Sequence, residues 1–578
     1  MHIRFLIIFS NVATVAMGMF HKRTVPDAGE EATGAKRLRS GLHDVFLGNE
    51  LSANKVHYLA QAGHDAGLDH LRDIAVAVGR GNKSGKNIHR NILNAFSKRC
   101  QWPGLYYAPV RVWSLKQMKE VTVQLPFQLP HELLRALASH NSVAALANQA
   151  SLSASTKAHV AGAAAALGVR PEELISLGIW GDGVPCNWDR SQSMDMFTMF
   201  MPGLPPGLQE LRVPLCALNM KYVVVGNTFD DICAILAWSF QQCALGKMPS
   251  CRHDGSQFNK TDCKRKLQAN TAIPRAILAE VKGDWAFFKQ CFRYPQHNEK
   301  GGICFRCRTT PGTYKDCSST ADWRTQRLDH WALMARFLER GIDISPIFDC
   351  PFLKSTCFLM DWLHVADLGI TPNFLGSLLL LLLTKFPGQN SMQRCFSMYG
   401  ELSQWYKDHG TESKLDQLTP SMLKSSKKPP HLRGKGAEIR ALVPWANELA
   451  QRLLRDDDTE EQSAKVAMFH LNACYSMLSA EKYDEAVLQE HSRKFALLYV
   501  GLDSLKADRW HVVPKLHWFQ EMCEMTSVRP SNSWNYRDES FGGYLAGLSR
   551  LRGGHNTASA AGKSMLRKFQ ARHRIPLL

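Results

Sequence analysis

The chain lacks three things that would name it quickly. It has no internal repeat of fixed period, which excludes solenoids, propellers and other arrays. Residues 21–170 hold no C₂H₂ finger or other recognisable DNA-reading module. The 16 cysteines are scattered and only Cys304 and Cys307 stand close together, which excludes a disulfide scaffold and points to reduced thiols. Acidic residues are also in short supply: 52 Asp and Glu face 70 Lys and Arg, a net charge of +18. Such a surplus attracts polyanions, of which nucleic acid is the commonest large one. The rest is ordinary. The 578 residues are 45% apolar and 21% charged, enough for two to four domains and against wholesale disorder.

Two apolar stretches bear on membranes. Residues 1–20, "MHIRFLIIFSNVATVAMGMF", have a basic start and read as an ambiguous leader, either a signal peptide or a weak anchor. The run at 374–386, "FLGSLLLLLLTKF", is too short to span a bilayer and reads as a buried helix. We expect no membrane partner. The string "KRLR" at 36–39 reads either as a nuclear-import signal or as solvated charge.

The organisation falls into five parts. Residues 1–40 are leader and basic linker. Residues 41–170 read as mainly helical, with DNA contact possible through the basic stretch 80–99. At 172 the texture changes. "LISLGIW", "SMDMFTMFMPGLP" and "VPLCALNMKYVVVG" read as three successive strands. "TFDDICAILAWSFQQCALG" reads as a helix capped by Thr228 and closed by Gly246. "AILAEVKG" then returns as a fourth strand. Residues 171–320 thus form a mixed sheet core. Residues 321–505 read as helical throughout, and 506–578 as a closing helical part with a basic tail.

The first and fourth strands each run into a carboxylate behind a glycine, Asp182 and Asp284. Two carboxylates at neighbouring strand ends raise each other's pKa unless a cation lies between them. Mg²⁺, with carboxylates, water and phosphate oxygens as ligands, removes the conflict. Glu539, at the start of a helix, is the candidate third ligand; its other reading is a favourable charge at a helix N-terminus. Asp538, Asp361 and Asp367 are its rivals. Asp361 and His364, spaced i, i+3 in "DWLH", either bind a metal or form a buried hydrogen-bonded pair. Cys304 and Cys307 form half of a zinc site, for which His297, Cys317 and Cys291 are candidate partners; free buried thiols are the alternative. Lys424, Lys427, Lys428, Arg433, Lys435 and Arg440 crowd a Pro- and Gly-broken loop that reads either as a phosphate contact or as solvated charge.

Four strings together resemble the DDE-type DNA transposases of the CACTA and Plavaka kind. They are "GDGVPCNW…MDMFTMFMPGLP", "EVKGDWAFFKQCF…GGICFRC", "FLMDWLHVADLGI" and "VVPKLHWFQEM…RDESFGGY". The resemblance covers roughly residues 172–550. It implies an α/β, RNase H-like core interrupted by a large all-helical insertion. It implies Asp182, Asp284 and Glu539 as catalytic ligands of Mg²⁺ or Mn²⁺. DNA would be cleaved by water, and the freed 3′-hydroxyl would attack target DNA. The implied partner is DNA, with homo-oligomers allowed, no small-molecule substrate, and a nuclear location. Whether such a chain still acts as an enzyme is a separate question; the alternative is a transposon-derived, non-catalytic DNA-binding or chromatin protein.

Overall fold

The computed structural model describes residues 34–48, 50–75, 87–97, 100–187, 189–205, 207–208, 211–424, 428–550 and 557–578. The leader, Lys427 and residues 80–86 and 98–99 of the basic stretch lie outside the described residues. Six strands carry the argument: β1 (Tyr106–Ser114), β2 (Lys119–Phe127), β3 (Ile175–Pro185), β4 (Ser193–Phe200), β5 (Arg212–Asn219) and β6 (Ala276–Gly283). Five helices join them: α1 (Asn227–Leu245), α2 (Trp285–Phe292), α3 (Thr371–Leu383), α4 (Lys515–Glu524) and α5 (Tyr536–Ser549). The fold is mixed α/β, with a small mixed sheet among many helices.

The chain divides into two compact units. The first contains residues up to 151, 167–278 and 537–578. Its sheet has the order β5-β4-β3-β6. β3, β4 and β5 form an antiparallel meander in which Asp182 stands opposite Met196. β6 returns beside β3, and the two begin together, Ile175 N–H donating to Arg275 O at 3.0 Å. Every residue of β5 and β6 is buried, as expected of strands covered on both faces. α5 covers the face of β3 that carries Trp180, Asp182 and Val184. A Cβ on Gly542 would lie 2.9 Å from Trp180 and 3.2 Å from Val184, so only glycine permits this approach. α1 covers the opposite face, with its Phe229 ring 6.3 Å from Phe197.

Two local expectations need correction. Thr228 does not cap α1. It is buried, its hydroxyl donates to Arg111 O and accepts from Val224 N–H, and Gly226 at φ +83° makes the entry turn. Gly246 does end the helix, at φ +68°. Residues 106–127, read as part of a helical region, instead form the β1–β2 hairpin. The alternation of "YAPVRVW" with "KEVTVQL" puts Tyr106, Ala108, Val110 and Val112 inward, a period of two that outweighs the helical texture around it.

The second unit contains residues 152–166 and 279–536. β6 crosses into it, and Leu359 N–H donates to Val281 O at 2.9 Å. The charged residues of this buried strand are satisfied: Glu280 accepts from Thr156 Oγ1 at 3.2 Å, and Lys282 donates to Asn532 O at 2.7 Å. The leucine run lies in α3, as expected of a core helix. With the π-helical turn Leu363–Ile370 before it, it makes one apolar span, 83% of whose most apolar window is buried.

That π-helical turn is organised around Asp367, which is fully buried. Its carboxylate accepts from Tyr475 OH at 2.6 Å, Tyr536 OH at 2.7 Å and Trp362 Nε1 at 3.1 Å. Burial raises its pKa to about 7 against the pull of these donors and of Arg440. An acid whose folded pKa exceeds its unfolded value of 3.8 takes up a proton on folding between the two. Stability therefore falls as pH rises from about 4 to about 7, by on the order of 1 kcal/mol per unit. Asp367→Asn should flatten that slope in urea unfolding curves recorded across the window; equal slopes in variant and parent would exclude Asp367 as its source.

Candidate metal centre and carboxylate sites

The strongest cluster of ligand atoms joins distant parts of the second unit. Cys304 and Cys307 lie in an irregular turn, and His517 and Glu521 lie one helical turn apart on α4. All four ligand atoms lie within 4.8 Å of one another, and all four residues are buried. Cys307 Sγ is 3.2 Å from His517 Nε2, His517 Nε2 is 3.7 Å from Glu521 Oε1, and Cys304 Sγ is 4.0 Å from the same oxygen. Two thiolates, an imidazole and a carboxylate suit a tetrahedral Zn²⁺.

The surroundings fit the same reading. Arg336 donates to the carbonyls of Cys304 and Cys307 and to Gly301, and so fixes the turn. Thr309 Oγ1 lies 3.1 Å from Cys307 Sγ, and Arg306 N–H donates to Cys304 Sγ at 3.3 Å. Arg327 grips both oxygens of Glu521, at 2.6 and 2.7 Å. Two thiolates and a carboxylate carry three negative charges; a divalent ion would leave one, which Arg327 offsets. The bond from Cys304 holds the Cys307 thiol well below the usual thiol range, with help from His517, while burial pushes Cys304 up. The pair thus holds one proton where a metal would hold none.

Of the expected zinc partners, His297, Cys317 and Cys291 take no part in this cluster. His297 is exposed on a turn. Cys317 is buried and donates to Gln520 Oε1 at 3.2 Å. His517 and Glu521 replace them. Their i, i+4 spacing was visible in "HWFQE", but nothing local ties it to a cysteine pair over 200 residues earlier.

The carboxylates sort themselves by their partners. Asp182, half-buried, accepts from Gly183 N–H at 2.7 Å. Glu539, also half-buried, lies on α5 one turn before Gly542, on the helix that covers the Asp182 face of β3. Its neighbour Asp538 is committed elsewhere. It accepts from Arg212 Nε at 2.6 Å, with the side chains 1% and 7% exposed. Breaking such a pair costs about 3–5 kcal/mol, so Asp538 is held as a strut between α5 and β5. Asp361 is equally occupied. It accepts backbone N–H bonds from Leu363, His364 and Asn535 and pairs with His364 Nδ1. Asp367 is held by its own network of tyrosine and tryptophan donors.

Asp284 caps α2, its Oδ1 accepting from Phe287 N–H at 2.6 Å. It also lines a cavity of about 190 Å³ in the second unit, together with Asp361, His364, Lys515, Trp285 and Trp518. The two indole rings stack at 3.7 Å. Lys515 donates to His364 O at 2.7 Å; burial lowers its pKa, and Asp284 and Asp361 act against that. In the basic loop, Lys424, Lys428, Arg433 and Lys435 are exposed. Arg440 is half-buried over the Trp534 and Tyr536 rings, at 4.9 and 4.6 Å, and is a packing cation rather than a free one. Arg39 of "KRLR" pairs with Asp73 and donates to His70 O at 2.7 Å.

The sequence matches no protein-family model, and no curated protein matches it. Metal analysis of the purified chain should return about one zinc per molecule. His517→Ala should lower that content and the melting temperature together, and Co²⁺ substitution should give a thiolate charge-transfer band that Cys304→Ser weakens. Full metal content in both variants would remove the site.

Proposed function

We propose that the chain is a transposase-like protein with an RNase H-like core and a helical insertion. It cleaves and joins DNA in the nucleus, using Asp182, Asp284 and Glu539 with Mg²⁺ or Mn²⁺. The observation that carries the reading is the sheet order β5-β4-β3-β6. It sets β6 beside β3, the strand that carries Asp182, and the helix of Glu539 packs on that same strand at Gly542. The charge surplus of +18 and the resemblance of four strings support a nucleic-acid substrate.

The residues suit the cation in chemistry. Each offers carboxylate oxygen, the donor that Mg²⁺ and Mn²⁺ prefer, and the helix cap uses one oxygen of Asp284. A bound divalent ion would supply charge stabilisation at the phosphate and an activated water. The side chains supply its position, and burial stiffens β3 up to Gly181 and β6 along its whole length.

A second reading keeps the fold and drops the chemistry: a transposon-derived protein that binds DNA or chromatin. The bond from Phe287 N–H to Asp284 favours it, since a capping carboxylate is useful without any metal. Incubation of labelled duplex DNA with the full chain, with Mg²⁺ and separately with Mn²⁺, separates the two. The catalytic reading expects strand cleavage that falls at least about 100-fold in Asp182→Asn and in Glu539→Gln. DNA binding without cleavage in either cation would establish the second reading instead.

A further inference from the structure

The cavity beside Asp284 would repel a phosphodiester if Asp284 and Asp361 were its only charges. Lys515 alters that. Its stem passes so close to Gly369 that a Cβ there would lie 2.7 Å from Lys515 Cδ, and its ammonium is tied to His364 O. The lysine is therefore held in the wall rather than free to swing out.

Its charge also reaches the basic loop. Gly369, against which the Lys515 stem lies, accepts from Asn373 Nδ2 at 2.7 Å, and Asn373 Oδ1 lies 3.1 Å from His431 Nδ1 on the loop, so a short run of contacts joins them. Arg433, Lys515 and Lys428 each lower the pKa of His431, after the larger effect of burial. The loop that carries three of these four residues is anchored. His431 N–H donates to Leu423 O at 2.8 Å, Leu432 N–H to Pro372 O at 2.8 Å and Arg433 N–H to Met422 O at 2.9 Å. The Leu432 side chain is buried, and His431 Nδ1 lies 3.1 Å from Asn373 Oδ1. A Cβ on Gly376 of α3 would lie 2.6 Å from His431 N, so the loop sits directly on that helix. A loop bonded at three successive residues is not merely solvated charge. It presents Lys428 and Arg433 outward from a fixed backbone, and neither has an ion pair among the described residues, whereas Lys435 is paired with Glu438 at 3.3 Å.

We propose that Lys428, Arg433 and Lys515 form one phosphate track, along which a DNA backbone lies on loop 428–435 and reaches the cavity wall that carries Asp284. This rests on the reading of the chain as a DNA-acting protein, and it adds the route by which the strand arrives. The geometry suits backbone contact rather than base reading, because cations on a rigid loop neutralise phosphates whatever the sequence.

The test measures binding of a fluorescein-labelled DNA duplex to the full chain by anisotropy, without added divalent cation, over a range of salt. Each phosphate that is no longer neutralised lowers the slope of log affinity against log salt by about 0.9. Lys428→Ala with Arg433→Ala, both exposed and harmless to folding, should lower it by about 2 units, and Lys515→Met by about 1. A double variant with the parental slope overturns the track. A lowered slope in the double variant with an unchanged one in Lys515→Met overturns its extension to the cavity. If the parent shows the expected slopes but never cleaves DNA, the track stands and the nuclease reading falls; if it cleaves and the double variant binds as the parent does, the track alone falls.

Discussion

Helix α4 buries four polar side chains that water would otherwise satisfy: His517, Gln520, Glu521 and Glu524. An unpaired charge in that position costs several kcal/mol, so each needs a partner brought to it. The segment 304–327 supplies them all. Cys307 meets His517, Cys317 meets Gln520, Arg327 grips Glu521 and Arg324 pairs with Glu524. This one requirement fixes the segment to the helix although its only regular element is the short helix Asp322–Thr325. It also places two thiols where a carboxylate and an imidazole converge. The metal cluster and the packing of α4 are one solution to one constraint.

Lys515 and Trp518 extend the same helix toward different work. Lys515 turns into the cavity of Asp284, and Trp518 stacks on Trp285 in the first turn of α2. The residue that caps α2 and the residues that hold the cysteine turn are therefore separated by one helix and a pair of rings.

Much of this was legible in the chain, and the reasons differ by element. The strands were readable because β3, β4 and β5 are apolar runs broken by glycine and proline, and Gly246 marked the end of α1. Asp182 and Asp284 stood out because a carboxylate ending an apolar run is unusual, although β3 itself continues past Asp182 to Pro185. The hairpin β1–β2 was missed although its alternation was present, because helix-forming sequence surrounds it. Thr228 looked like a cap until Arg111 claimed its hydroxyl. Long-range partners were beyond local reading. No spacing rule connects Cys304 with His517. Only Arg212, more than 300 residues away, separates Asp538 from Glu539 as chemically distinct neighbours.

The contact at Gly542 has an evolutionary side. α5 reaches β3 only because that position carries no side chain, and Glu539 stands three residues away on the same helix. A single methyl group would act as a wedge between α5 and β3 without touching any carboxylate. One codon change could thus part the helix from the strand and leave every acidic residue in place. Judging whether such a sequence is intact therefore means inspecting its glycines as closely as its acids.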